Sequence, residues 1–200
     1  TTGAGADSIT MSPTAAKVET VSLGAGNDKV TFTANLADTD VLNGGDGTDT
    51  LISTFALLDG LTTATSTVEL VSNFEAVEFT DAFTAGQTFD VASVQKAGIA
   101  TVTLDGNGTA GAATINFLAG SSTLNVAGAL GNGLHTFDAA GTATTDTLTV
   151  ANTAAGANFA NRAITTTDFE TVTFNSSGTG AATTQQLGAV TATASAGGTA

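Results

Sequence analysis

Cysteine, tryptophan and tyrosine are absent from the 200 residues, and proline, methionine and histidine occur once each. Without cysteine there is no disulfide framework, zinc knuckle or thiol chemistry. Basic residues are almost as scarce: four Lys or Arg stand against 18 Asp or Glu, a formal net charge of −14. Almost nothing in the chain could neutralise phosphates, which argues against a nucleic-acid or anionic-membrane partner. No apolar run approaches the roughly 20 residues that span a bilayer, so membrane insertion is not expected. The chain opens TTGAGAD, with neither Met nor a signal peptide, and reads as cut from something longer. What it does have is Thr (41), Ala (37) and Gly (24), together 102 of the 200 residues. With 42% hydrophobic residues and 11 Phe it can bury a core, unlike a disordered acidic tail. Thirteen of the acids are Asp, which favours turns over helices.

Three segments repeat: Thr2 to Thr10 (TGAGADSIT), Leu23 to Thr31 (LGAGNDKVT) and Gly44 to Ile52 (GGDGTDTLI). Their aspartates, Asp7, Asp28 and Asp49, are evenly spaced, and the other columns agree. Glycines recur at Gly3, Gly24 and Gly45 and again at Gly5, Gly26 and Gly47, and an aliphatic residue follows at Ile9, Val30 and Leu51. One G-x-G-x-D is a common turn, since Gly and Asp are the default turn residues. Three in fixed register, each leading into a strand-like run (SITM, KVTF, TLIS), make a repeat architecture.

The pattern G-G-x-G-x-D-x-U-x, with U aliphatic, resembles the calcium-binding nonapeptide of the repeats-in-toxin (RTX) proteins. The third copy fits every position, and the first two replace only the leading glycine, with Thr2 and Leu23. The spacing departs from a regular RTX roll, in which nonapeptides run back to back. Each unit here carries one good copy and one undecorated turn, so calcium is expected along one edge only. The chemistry agrees. Calcium takes six to eight oxygen ligands, and carboxylates and backbone carbonyls supply them. Glycine can take φ > 0 and turn carbonyls inward. One turn offers too few oxygens, but two turns stacked about 4.8 Å apart can close a cage between them. Three rows make two gaps, with Asp28 bordering both. The expected metal residues are Asp7, Asp28, Asp49, Gly3, Gly5, Gly24, Gly26, Gly45 and Gly47, and the expected cofactor is Ca2+.

A second motif recurs as Val18 to Leu23 (VETVSL), Phe74 to Phe79 (FEAVEF) and Phe169 to Phe174 (FETVTF), each read as a strand entered from a bend. Similar segments occur in bacterial surface-layer proteins that carry RTX repeats, and the opening 80 residues resemble the alphaproteobacterial type. Farther on, short strands are expected at Ala100 to Leu104, Thr114 to Leu118, Thr123 to Val126, His135 to Phe137 and Thr147 to Val150, on successive faces of a parallel solenoid. Echoes of the nonapeptide at Asp105 to Gly108 and Gly141 to Asp146 lack its full glycine frame. From Ser176 the chain is low-complexity, either more solenoid or the start of another module.

Enzyme chemistry has little support. His135 is alone, which leaves neither an HExxH zinc site nor a Ser-His-Asp triad, and it reads as structural or surface. Lys17, Lys29, Lys96 and Arg162 are scattered, which disfavours the polysaccharide lyases that also use solenoids. The pairs Asp38/Asp40 and Glu75/Glu78 read as turn and strand-surface acids rather than glycosidase carboxylates, with Asp38/Asp40 available to a peripheral ion.

The expectation is an all-β fold, a parallel right-handed β-solenoid or β-roll with calcium-binding turns along one edge. Residues 1–81 form an RTX-like β-roll and residues 82–200 a Thr/Ala-rich continuation. The resemblance implies a non-enzymatic structural protein of the bacterial surface layer, secreted to the cell surface. It implies self-association into a calcium-dependent two-dimensional lattice, anchored to a surface glycan or lipopolysaccharide through regions outside this fragment. The alternatives are an RTX adhesin stalk and the calcium-binding appendage of a secreted enzyme such as a protease, lipase or alginate epimerase.

Overall fold

Thr, Val and Ile suit a pleated, half-buried surface, and nearly every strand of this protein alternates an outward polar residue with an inward apolar one. The structure, a computed structural model, describes residues 1–14, 17–61, 70–105, 112–128, 133–152, 162–176 and 187–194. It is all-β, with 52% strand and 6% helix, and its parallel stacked strands form a β-solenoid. Two compact units are present, one of residues Thr1–Thr80 with Asp90–Ile99, the other of Asp81–Phe89 with Ala100–Ala200.

In the first unit β1 (Gly3–Ala4), β3 (Thr20–Ala25), β5 (Val41–Asp46) and β7 (Val71–Ser72) stack as one parallel sheet. Strands β2 (Ser8–Met11), β4 (Lys29–Phe32), β6 (Thr50–Ser53) and β8 (Ala76–Phe79) stack as another. The chain visits the two sheets alternately, which is how a parallel solenoid winds. Inward residues line up in columns: Ile9, Val30, Leu51 and Val77 in one, with Met11 beside Phe32 and Ser53 beside Phe79 in the next. Val30, Leu51, Val77 and Phe79 are fully buried; each such side chain contributes about 1.5–3 kcal/mol. The Ser53 hydroxyl, also buried, donates to the Phe32 carbonyl at 2.8 Å.

Two short helices, α1 (Phe55–Asp59) and α2 (Val91–Val94), belong to this unit. The Asp90 carboxylate caps α2 by accepting from the Ala92 N–H at 2.9 Å. Just beyond it, the buried Gln95 amide takes the Phe74 N–H on Oε1 and gives Nε2–H to the Phe74 carbonyl, both at 3.1 Å. A side chain thus supplies Phe74 with the bond pair of a neighbouring strand.

The second unit repeats the plan. Strands β10 (Thr101–Leu104), β12 (Ser121–Val126), β14 (Thr147–Asn152) and β16 (Thr171–Ser176) stack in one sheet. Strands β9 (Gln87–Asp90), β11 (Ala113–Phe117), β13 (Leu134–Ala139), β15 (Arg162–Thr167) and β17 (Leu187–Thr193) stack in the other. The inward column Val102, Leu124, Val150 and Phe174 holds register, as does the outward column Thr101, Thr123, Thr149 and Thr173. The five strands expected between 100 and 150 all form, with ends shifted by up to two residues. His135 lies inside, 3% exposed on β13 beside Ile164, so it is a core residue.

Candidate functional site

The three nonapeptides stack in the register that their spacing demands. Gly3 pairs with Gly24 and Gly24 with Gly45, while Ser8 pairs with Lys29 and Lys29 with Thr50. Asp7, Asp28 and Asp49 therefore form one column, at the bend where each coil enters its β2, β4 or β6 strand. They share the inward face with Ile9, Val30 and Leu51, because alternate residues of a strand point the same way.

The column is a ladder of hydrogen bonds. The Asp7 N–H donates to Asp28 Oδ1 at 2.7 Å, and the Asp28 N–H donates to Asp49 Oδ1 at 2.8 Å. The Asp49 N–H continues the series to Glu75 Oε2, also at 2.8 Å. In the opposite direction, the N–H groups of Lys29 and Thr50 donate to the carbonyls of Asp7 and Asp28. Each carboxylate thus reaches back one coil and satisfies an N–H that the bend leaves over. Asp28 and Asp49 are 0% exposed, and in each the second oxygen, Oδ2, is buried with no hydrogen-bond partner. Burial raises the Asp49 carboxyl above the ordinary carboxylate value; the Asp28 N–H bond lowers it, and the charges of Asp28, Glu75 and Asp46 raise it further. Asp7 is half-buried, and among the described residues nothing donates to its carboxylate. The two inter-coil gaps therefore hold the carboxylates of Asp28 and Asp49, and Asp7 contributes its backbone.

The glycines serve close approach as much as turn geometry. Gly24, Gly26, Gly45 and Gly47 have φ between +102° and +142°, where side chains are rare. A Cβ on Gly45 or Gly47 would lie 1.9 Å from the carbonyl oxygen of Gly24 or Gly26 one coil back. At Gly24 and Gly26 the corresponding distances to Gly3 and Gly5 are 2.2 Å. Carbonyl oxygens of successive turns thus stand directly under the next coil. Gly44, the leading glycine of the complete copy, has no room either: its Cβ would lie 1.9 Å from the Asn73 carbonyl and 2.7 Å from Asp49 Oδ2. Gly3 and Gly5 meet nothing within 4 Å, although Gly5 has φ +113°.

The second motif divides. Glu75 and Glu170 each follow a fully buried Phe and accept the N–H of an aspartate one coil earlier, Asp49 and Asp146. They occupy the place of the nonapeptide aspartate in the next coil. Glu19 of VETVSL does not; it leads into β3, in the other sheet, and its own N–H donates to Asp40 Oδ1 at 2.9 Å. The second Asp40 oxygen accepts from the Ala37 N–H, so one oxygen closes the turn before β5 and the other reaches back one coil. Glu78 lies outside the ladder, 3.7 Å from Lys29 Nζ.

Sequence reasoning named Glu75 as a turn or strand-surface acid, Asp146 as the end of a nonapeptide echo and Glu170 as part of FETVTF, but did not place them in ladders of this kind. The signal that finds them is the column: a Glu after a core Phe takes the place of the repeat aspartate. Of the echo at Asp105 to Gly108, only exposed Asp105 lies within the described residues. Among the described residues no group of three or more His, Cys, Asp or Glu side chains converges as a cage, so a cation here would draw chiefly on backbone oxygens around one carboxylate. No described helix is long and apolar enough to cross a membrane. Comparison with family models, with curated proteins and with solved structures finds no match.

Proposed function

We propose that this protein is a calcium-stabilised structural protein of the bacterial surface layer, secreted and assembled with copies of itself into a two-dimensional lattice. The observation that carries the calcium reading is the pair of fully buried carboxylates, Asp28 and Asp49. Each spends one oxygen on a backbone N–H and leaves the other unpartnered. A buried ionised carboxylate with an open oxygen is costly unless a cation completes it. The donor set suits a hard cation: the repeat supplies buried carboxylate oxygens and glycine-turn carbonyls, with no nitrogen or sulfur side chain in the aspartate column. Asp28 with the turn carbonyls of the first two coils would hold one ion, and Asp49 with those of the second and third would hold another. Bound calcium supplies positive charge and oxygen coordination to the gap.

The surface-layer reading rests on the resemblance of the nonapeptides and the FExV segments, and the regular β-solenoid is compatible with it. Anchoring to a surface glycan or lipopolysaccharide belongs to other parts of the protein. Immuno-electron microscopy of cells expressing the full-length protein tests it: this chain should label a continuous sheet that disperses on chelation. Label confined to fibres or to released enzyme would favour the adhesin or appendage alternatives. For the metal, circular dichroism melts of the chain should show a higher melting temperature in calcium than in chelator. Identical melts would remove the calcium reading.

A further inference from the structure

A third buried carboxylate has the same signature, and it lies in the second unit, where no complete nonapeptide exists. Asp146 is 1% exposed, and its Oδ2 is buried with no hydrogen-bond partner. Its surroundings reproduce those of Asp49 bond for bond. Oδ1 of each accepts a backbone N–H one coil back, from Asp28 for Asp49 and from Gly120 for Asp146. The N–H of each donates to a glutamate Oε2 one coil on, Asp49 to Glu75 at 2.8 Å and Asp146 to Glu170 at 2.7 Å. The carbonyl of each takes two N–H groups, those of Glu75 and Ala76 at Asp49 and of Glu170 and Thr171 at Asp146. Each glutamate follows a fully buried Phe. A glycine also stands five residues before each aspartate, Gly44 and Gly141, but their settings differ: a Cβ on Gly44 would lie 2.7 Å from Asp49 Oδ2, whereas Gly141 has φ +90° and open space around it.

We infer that Asp146, with Glu170 beside it, forms a further binding site for a divalent, oxygen-preferring cation. This inference stands on the geometry of the second unit and does not require an ion in the first. The turn before Asp146 carries Thr142 and Thr144 where the complete nonapeptide has Gly45 and Gly47. The site therefore lacks the stacked glycine carbonyls and relies more on its two carboxylates and on water. Calcium tolerates such mixed oxygen sets, and its affinity follows the charge that the ligands supply. The Asp146 site should accordingly be the more sensitive to loss of either carboxylate.

Calorimetric calcium titration of the whole 200-residue chain tests this with Asp146→Asn, Glu170→Gln and, as a control on the first unit, Asp28→Asn. Asn at 146 keeps the shape and an oxygen for the Gly120 N–H. The expected result is one calcium fewer per chain for Asp146→Asn and weaker binding at that site for Glu170→Gln. An unchanged number of ions in Asp146→Asn overturns the inference. Loss of an ion in Asp146→Asn with none lost in Asp28→Asn would support this site and remove the one proposed in the first unit, and the opposite pattern would do the reverse. Should Asp146→Asn lose its strand signal, hydrogen exchange of the wild-type chain decides. Calcium should slow exchange at the Gly120 and Asp146 amides, which donate to the two carboxylates, and unchanged rates there overturn the site.

Discussion

The carboxylate of Asp28 accepts the backbone N–H of Asp7 across one coil, at 2.7 Å. Removing the acceptor leaves a half-buried amide without a partner, whereas an amide side chain of the same shape retains an oxygen for it. In metal-free protein, Asp28→Ala should therefore be less stable than Asp28→Asn by about 1–2 kcal/mol. Urea denaturation of the two variants side by side measures this. Equal midpoints would mean that the bond contributes nothing.

Calcium affinity should rank the three repeat aspartates unequally. Only the carboxylates of Asp28 and Asp49 occupy inter-coil gaps, so Asp28→Asn and Asp49→Asn should each abolish one site in the first unit. Asp7→Asn should leave both near wild type, because Asp7 contributes its backbone. Titration calorimetry of the three variants checks the order, and an effect of Asp7→Asn as large as the others would contradict it.

The glycines should differ as sharply. Gly45→Ala combines φ +107° with a Cβ 1.9 Å from the Gly24 oxygen, and should cost more than the roughly 1–3 kcal/mol of backbone strain alone. Gly5→Ala carries the strain without the clash, and Gly3→Ala carries neither. Chemical denaturation should give the order Gly45, Gly5, Gly3, from most to least destabilised.

Asp49 makes the metal-free protein pH-sensitive. Its carboxyl is raised from the ordinary value of 3.8, first by burial and then by the neighbouring charges of Asp28, Glu75 and Asp46. The folded chain therefore holds this proton more tightly than the unfolded chain. Its contribution to stability is fully present below the ordinary carboxylate value and is lost as pH rises through the raised one. In chelator, stability should fall over that window in wild type and fall less in Asp49→Asn. Melting temperatures measured from pH 3 upward in small steps would show it, and parallel curves would exclude Asp49 as the source.

Glu75 and Glu78 lie on the same short segment and should behave differently. Glu75→Ala frees the buried Asp49 N–H and should cost about 1–3 kcal/mol. Glu78→Ala loses one ion pair to Lys29, a side chain that is 55% exposed, and should cost about 0–1 kcal/mol. Thermal melts at low salt, then at high salt, separate them: only the Glu78 effect should vanish as salt screens it.

Equal coil length makes the first unit legible in the sequence. Asp7, Asp28 and Asp49 are joined by ladder bonds spanning 21 residues each, so identical residues recur at a fixed interval. The next step, from Asp49 to Glu75, spans 26 residues, because helix α1 and the chain after it lie between. The residue also changes from Asp to Glu, so the periodicity disappears although the column continues. The steps from Gly120 to Asp146 and from Asp146 to Glu170 span 26 and 24 residues, which hides the second ladder in the same way. Strand positions survive these insertions because inward apolar alternation is local. Register does not, because it depends on how much chain each outer turn absorbs. VETVSL misleads for a related reason: its pattern matches FEAVEF, but β3 and β8 belong to different sheets, and composition cannot tell one face from another.

The ladder runs one way. In the aspartate column the bend amides of Asp7, Asp28 and Asp49 are each served by a carboxylate that comes later in the chain, so each of these coils is finished by its successor. During synthesis from the N-terminus, the most recent coil waits with an open amide until about another coil's length has emerged, and order spreads backward from each new arrival. Cutting between two coils of the first unit would expose unlike surfaces: in the aspartate column the earlier side keeps an unserved bend amide and a bare carbonyl, the later side a bare carboxylate and a bare strand amide. Those faces complement each other, so separated pieces should rejoin head to tail.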